Sequence, residues 1–364
     1  MGNGTLSAID VARLYPTPVF IYYADKQLPE WNQEAEKVLQ LFPGESMEER
    51  LAQLISWVEL DVGAYAGKMD SSILTKEIRL NQEMRFYEVI TSPMYGGVGE
   101  FEGIMLVLRD VTALRAAEAR RLEREKEETL AANLLSLLAP KNWIAPTRWQ
   151  VFGRSIPARA LGGDYYDIIP IQEEKKVILV VADVMGKGVQ AALWMTMARQ
   201  VIRQAAARYR DTGSTVEWIH QSLFRDLYHA GAFITMLFMV LDVESGRITY
   251  VNAGHHPALR IHGEQAEFLS GKGPALGMTE KPGYTVNFQA IQPGDTLLLY
   301  SDGILDSWQA DGRGLGKEGL AKVVQQARLL KAREMLDGIF KAARAYPEGQ
   351  QRWDDMTAVV VRRE

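Results

Sequence analysis

Val177–Gly188 reads VILVVADVMGKG. A continuous apolar run rich in β-branched residues fits a buried strand. It ends in Asp183, and a turn punctuated by Gly186 and Gly188 follows at once. A carboxylate is therefore expected at the end of a stiff, buried element. Three other acidic stretches read as its partners: Leu161–Asp167 (LGGDYYD), Tyr300–Gly303 (YSDG) and Trp353–Thr357 (WDDMT). In each, aspartate follows or interrupts an apolar strand and lies beside glycine or another aspartate. One aspartate at a strand end is ordinarily a turn residue or a helix cap. Recurrence of the pattern in one region points instead to convergence on a divalent-metal site, because carboxylates and water suit hard cations such as Mg2+ and Mn2+.

Outward from this strand, residues 141–364 alternate strands and helices. Strands are expected at Trp149–Ile156, Tyr165–Ile171, Val177–Val184, Phe233–Asp242, Arg247–Asn252, Ala258–Ile261, Ala266–Leu269, Asp295–Tyr300 and Met356–Arg362. Helices are expected at Gly188–Arg208, at Thr215–Ala230 entered through Ser214 or Thr215, at Lys317–Gln326 and at Arg333–Ala345. Many antiparallel strands with a helix pair inserted predict an α+β domain, a sandwich with helices outside.

Bulk properties bound the rest. A chain of 364 residues exceeds one ordinary domain. A net charge of −5 supplies no basic field for nucleic acid or an anionic membrane. The absence of cysteine excludes disulfides, cysteine–zinc sites and thiol catalysis, and fits a reducing compartment. No basic segment followed by an apolar stretch opens the chain, and Met1–Gly2 begins a myristoylation pattern that Leu6 breaks. Apolar runs are too short for a membrane span. The expectation is a cytoplasmic protein.

In residues 1–112, strands are expected at Pro18–Tyr23, Ile73–Leu80, Arg85–Ile90 and Phe101–Arg109, with a helix from Trp31 to about Leu41. The strand, turn, short helices and three-strand meander closing on Asp110-Val111-Thr112 resemble a PAS domain over about residues 10–112. The resemblance implies a sensory or dimerising role; a small α+β domain used only for dimerisation is the alternative. All five histidines lie at or after His220, so the first 140 residues offer none for haem, and no cysteine is present for a flavin adduct. Residues 113–140 form the connector. Ala113–Leu138 lacks Gly and Pro and is rich in Ala, Glu, Arg and Leu, so a helix is expected, capped by Thr112 and stopped by Pro140. It is either a solvated linker or a two-chain signalling helix.

Six ordered motifs make the C-terminal reading specific: Leu161-Gly-Gly-Asp164-x-x-Asp167, Ala182-Asp183-Val184-Met-Gly186-x-Gly188, Asn252-Ala-Gly-His255-His-Pro257, Leu276-Gly277, Ser301-Asp302-Gly303 and Asp354-Asp355-x-Thr357. The series resembles the metal-dependent protein phosphatase (PPM) family in its SpoIIE/RsbU-like bacterial branch. With the N-terminal part, the layout is similar to RsbP-type phosphatases. The resemblance implies a β-sandwich with a centre of two Mn2+ or Mg2+ ions. Asp183 would bridge them, the Val184 carbonyl would help hold one, Asp302 and Asp354 would ligate the other, Asp164 would sit at the same cluster, and Asp355 would fill the neighbouring position. It also implies hydrolysis of phosphoserine or phosphothreonine on a STAS-type anti-sigma-factor antagonist, and a homodimer through residues 10–138 is expected.

Departures are equally specific. Lys187 stands where this branch often has histidine, which leaves the proton donor unassigned. Arg159 is the nearest candidate phosphate-binding arginine, with a surface ion pair as the alternative. His255 is read as holding its turn. Gly162–Tyr165 also resembles a diguanylate cyclase signature, but Asp183, Asp302 and Asp354 have no place in that family. A catalytically weak PPM-fold scaffold acting by binding a partner is the remaining alternative.

Overall fold

The computed structural model describes residues 8–26, 28–80, 83–140, 142–145, 148–307, 314–343 and 354–364. Met1–Gly2, Trp353 and the last two residues of the helix expected over Arg333–Ala345 lie outside the described residues. The chain divides into two compact units, Met1–Glu125 and Lys126–Glu364.

The first unit contains α1 (Ala8–Ala12), β1 (Val19–Tyr23), β2 (Glu30–Trp31), α2 (Gln33–Leu39), α3 (Met47–Val58), β3 (Ser72–Leu80), β4 (Glu83–Tyr95) and β5 (Phe101–Asp110). Its strands form one sheet in the order β2-β1-β5-β4-β3. Phe20, Ile104, Leu106 and Leu108 of the sheet share a core with Leu39 of α2 and Leu54 of α3. Sequence patterning did not anticipate α3, although its signal is present. Ser46 and Glu49 form a reciprocal capping box at its start. The Asp110-x-Thr112 exit is a hydrogen-bonded clasp. Asp110 Oδ1 accepts from the Thr112 N–H at 2.9 Å, and Thr112 Oγ1 accepts from the Phe86 N–H of β4 at 2.9 Å. The Thr112 hydroxyl thus ties the helix to the sheet, and Thr112 is the first helical residue of α4 (Thr112–Ser136) rather than its cap. The boundary between the two units falls inside α4.

The second unit continues with β6 (Trp143–Ala145), β7 (Trp149–Ile156), β8 (Tyr165–Ile171), β9 (Lys176–Val184), α5 (Val189–Ala207), α6 (Thr212–Ala230), β10 (Ile234–Asp242), β11 (Arg247–Ala253), β12 (Leu259–His262), β13 (Gln265–Phe268), β14 (Asn287–Ala290), β15 (Thr296–Tyr300), α7 (Asp302–Leu305), α8 (Gly316–Gln326), α9 (Ala332–Ala343) and β16 (Met356–Arg363). Two sheets form, in the orders β14-β11-β10-β9-β8 and β13-β12-β15-β16-β7-β6.

The period of two along β9 explains the layering. Val177, Leu179 and Val181 enter the core between the sheets, against Leu297 and Leu299 of β15 and Val359 and Val361 of β16. Ile178, Val180, Ala182 and Val184 pack on the other side against Ile202 of α5 and Ile219 and Leu223 of α6. The second sheet does the same: Leu298, Tyr300, Ala358 and Val360 face Leu320 of α8 and Met335 and Phe340 of α9. Both faces of β9 are covered, which is why its sequence runs apolar without alternation. The result is the expected sandwich flanked by helices. Asp183 continues the inward set of Val177, Leu179 and Val181, so its carboxyl lies where the inter-sheet core ends.

Smaller differences have local causes. α6 starts at Thr212, earlier than expected, because Asp211 caps it by accepting from the Ser214 N–H at 2.8 Å. The edge strand β14 was not anticipated; its residues are at most half-buried, so the hydrophobic signal is weak.

Candidate metal centre

Asp164, Asp183, Asp302, Asp354 and Asp355 come from four separated stretches and lie close enough to perturb one another. Burial first, and then the charges of Asp302, Asp354 and Asp355, together raise Asp183 to about 7, while Lys187 opposes them. Asp164 is raised well above the ordinary carboxylate range by burial first and by the Asp183 charge second. Burial and the neighbouring Asp354 charge also raise Asp302. Carboxylates held in this way repel one another in a poorly solvated place, and a cation of high charge relieves that repulsion.

The elements that position them differ in kind. Asp183 rides on β9. Asp302 opens α7, directly after the buried strand β15. Asp354 and Asp355 precede β16. Asp164 precedes β8 and is held by Ser301, whose hydroxyl donates to Asp164 Oδ2 at 2.6 Å and accepts from the Thr357 N–H at 2.9 Å. Ser301 is wholly buried, so this one side chain links three of the four stretches. Its role was not read from sequence, since a serine beside Asp302 looks like any turn residue.

Asp355 has a different task from the others. Its Oδ1 accepts from the Ala158 N–H at 2.7 Å, and its Oδ2 accepts from the Gly163 N–H at 2.6 Å and the Asp164 N–H at 3.4 Å. Both carboxylate oxygens are engaged in shaping the loop that carries Asp164. Two glycines permit the close approach. A Cβ on Gly162 would stand 2.6 Å from Asp355 Oδ2, and one on Gly303 would stand 2.0 Å from the Asp355 carbonyl oxygen. The Val184 carbonyl lies against the same loop, 3.0 Å from where a Cβ of Gly163 would be.

Asp167, in the same motif as Asp164, serves the scaffold. It is fully buried and makes a two-pronged ion pair with Arg203 of α5 (2.7 and 2.9 Å), while the Tyr165 hydroxyl donates to it at 2.5 Å. The pair pins α5 to β8.

His255 ties the two sheets together beneath the cluster. Burial lowers it to about 3, so the ring is neutral. Its Nε2 lies 3.1 Å from the Tyr300 carbonyl, which can only accept, so Nε2 carries the proton. Nδ1 then accepts from the Thr235 hydroxyl at 2.8 Å. Thr235 pairs with Asp183 across β10 and β9, and Tyr300 ends β15 two residues before Asp302. Asn252 closes the turn by accepting from the His255 N–H and donating to the His255 carbonyl. The neighbouring His256 stacks on Tyr300. Arg159 is exposed.

Among the described residues, no three Asp, Glu or His side chains close into a ready-made cation cage. The donor set is a row of carboxylates in mutual electrostatic range, and its oxygen-only chemistry fits Mg2+ or Mn2+.

The family model for Stage II sporulation protein E (SpoIIE) matches residues 173–364, which include Asp183, Asp302 and Asp354. The chain belongs to the SpoIIE family. Protein IcfG of Synechocystis is 26% identical over 335 residues, covering 84% of this chain, and the match spans about half (51%) of that protein. The phosphoserine phosphatase RsbU of Bacillus subtilis is 28% identical over 246 residues, 66% of this chain and 71% of RsbU. The SiaA-PP2C domain of Pseudomonas aeruginosa superposes with a TM-score of 0.57 at 20% identity, over 68% of this chain and 98% of that domain. That likeness shows a PP2C-type phosphatase fold. In the SpoIIE family frame, the motifs containing Asp183, Asp302 and Asp354 all fall within the matched region, whereas Asp164 lies upstream of it.

Proposed function

We propose that this chain is a PPM-type protein phosphatase that hydrolyses phosphoserine or phosphothreonine on a regulatory partner of the STAS-type anti-sigma-factor antagonist class. We further propose that residues 1–112 are a PAS-like sensor, 113–140 a signalling helix and 141–364 the phosphatase, working as a homodimer in the cytoplasm. The observation that carries the catalytic reading is the buried repulsion between Asp183, Asp164 and Asp302. RsbU, a phosphoserine phosphatase by name, supports the substrate class.

In this reading Asp183 and the Val184 carbonyl, with Asp164, Asp302 and Asp354, hold two divalent cations, Mn2+ or Mg2+. Bound there, such ions lower the pKa of a shared water and neutralise charge on the phosphoryl oxygens. The chain itself supplies placement. Ser301 fixes Asp164, Asp355 shapes the 158–164 loop, and neutral His255 joins the start of β10 to the end of β15. Preorganised charge of this kind needs no movement during phosphoryl transfer. Removal of the phosphoryl group takes about two negative charges off the partner, enough to switch its binding.

The test is hydrolysis of p-nitrophenyl phosphate by the full chain with Mn2+ or Mg2+, followed by single-turnover dephosphorylation of a phosphorylated STAS protein. Asp183→Ala should lower both by at least about a hundredfold. No turnover by the wild-type chain with either ion would leave the binding-scaffold reading in its place.

A further inference from the structure

Lys187 reaches into the carboxylate cluster from the turn after β9. Lys187 Nζ lies 3.0 Å from Asp354 Oδ2, and its charge also acts on Asp183. The turn that delivers it is built for the purpose. Gly186 (φ 96°) and Gly188 (φ 76°) on either side both take left-handed backbone, which few other residues adopt. This turn places Lys187 one residue before the cap of α5, with its ammonium on Asp354. Asp354 is fixed as well, since its Oδ1 accepts from the Asp355 N–H at 2.9 Å and leaves Oδ2 toward the lysine.

We infer that Lys187 is a tethered competitor for one metal position: its ammonium holds Asp354 until a divalent ion takes that carboxylate, so it sets the affinity of the Asp302–Asp354 position. This inference rests on the metal reading proposed above. The strength of the pair fits competition rather than a permanent lock. Both side chains are over one-third exposed, at 38% and 36%. Ion pairs this exposed are worth at most about a fivefold change in an equilibrium. A doubly charged ion with several carboxylates within reach displaces such a partner, whereas a fully buried lysine would not yield. The same placement explains how lysine can stand where a neutral side chain would leave Asp354 unbalanced in the metal-free protein.

The experiment is Mn2+ titration of the chelator-stripped full chain without substrate, by calorimetry and by the electron-spin signal of free Mn2+. Wild type, Lys187→Met and Lys187→Arg are compared, each first shown by circular dichroism to be folded. Lys187→Met should bind at one of two positions about three- to fivefold more tightly, and Lys187→Arg should stay near wild type. In an Asp354→Asn background the Lys187→Met gain should vanish. Equal or weaker Mn2+ binding by Lys187→Met, with wild type binding normally, overturns the inference. A gain that persists without the Asp354 carboxylate also overturns it. A wild-type chain that takes up no Mn2+ overturns the metal reading instead, and this inference with it.

Discussion

Replacing Asp183 with asparagine should stabilise the metal-free protein while removing its chemistry. The carboxyl titrates at about 7 against an ordinary value of 3.8, first because it is buried and then because Asp302 and Asp354 face it. Between those two values the folded chain keeps a proton that the unfolded chain has lost. Stability therefore falls as pH rises from about 4 to about 7 and stays low above that. The whole interval corresponds to roughly 4 kcal/mol; relaxation of the partly solvated site reduces it to about 2–4 kcal/mol. Asparagine has the same shape and no charge, so Asp183→Asn should recover that amount at pH 8. For a unit of this size the gain is about 5–10 °C in Tm. The assay is differential scanning calorimetry in EDTA at pH 8 and at pH 5.5, where about half the gain should remain. Excess Mn2+ should reverse the order, because only the wild type gains stability by binding ions. A variant no more stable than wild type at pH 8, or equally stabilised at both pH values, would refute the electrostatic account of Asp183.

Other substitutions separate scaffold from site. Gly303→Ala would drive a Cβ to within 2.0 Å of the Asp355 carbonyl, so the α7 entrance must shift; Mn2+ affinity should fall at least about tenfold, with about 1–3 kcal/mol lost in urea unfolding. Arg203→Ala strands the wholly buried Asp167 carboxylate and should cost about 2–4 kcal/mol by urea unfolding; Arg203→Ala with Asp167→Asn should recover part of that. His255, held near 3 by burial, should show imidazole NMR signals that do not titrate between pH 5 and 9. The pH–rate profile then reports other groups.

Much of the architecture was legible from local patterns. Apolar runs rich in β-branched and aromatic residues, bounded by glycine turns, located β7, β8 and β9 to within a residue. The same logic failed at β14, an edge strand with little to bury, and at α3, where a capping box outweighed weak periodicity. Ordered motifs gathered the five aspartates, because each sits at a strand end that a turn residue marks.

Sequence alone determined which carboxylates sit at strand ends, since strand length, side-chain alternation and glycine turns are local properties. Tertiary structure decided what each one does. Asp164 and Asp167 belong to one motif, yet Ser301 holds the first at the cluster and Arg203 holds the second in the scaffold. Asp354 and Asp355 are neighbours, yet one meets Lys187 and the other turns to backbone N–H groups 191 to 197 residues away. Such differences depend on how distant segments approach in the folded chain, and no spacing along the sequence contains them.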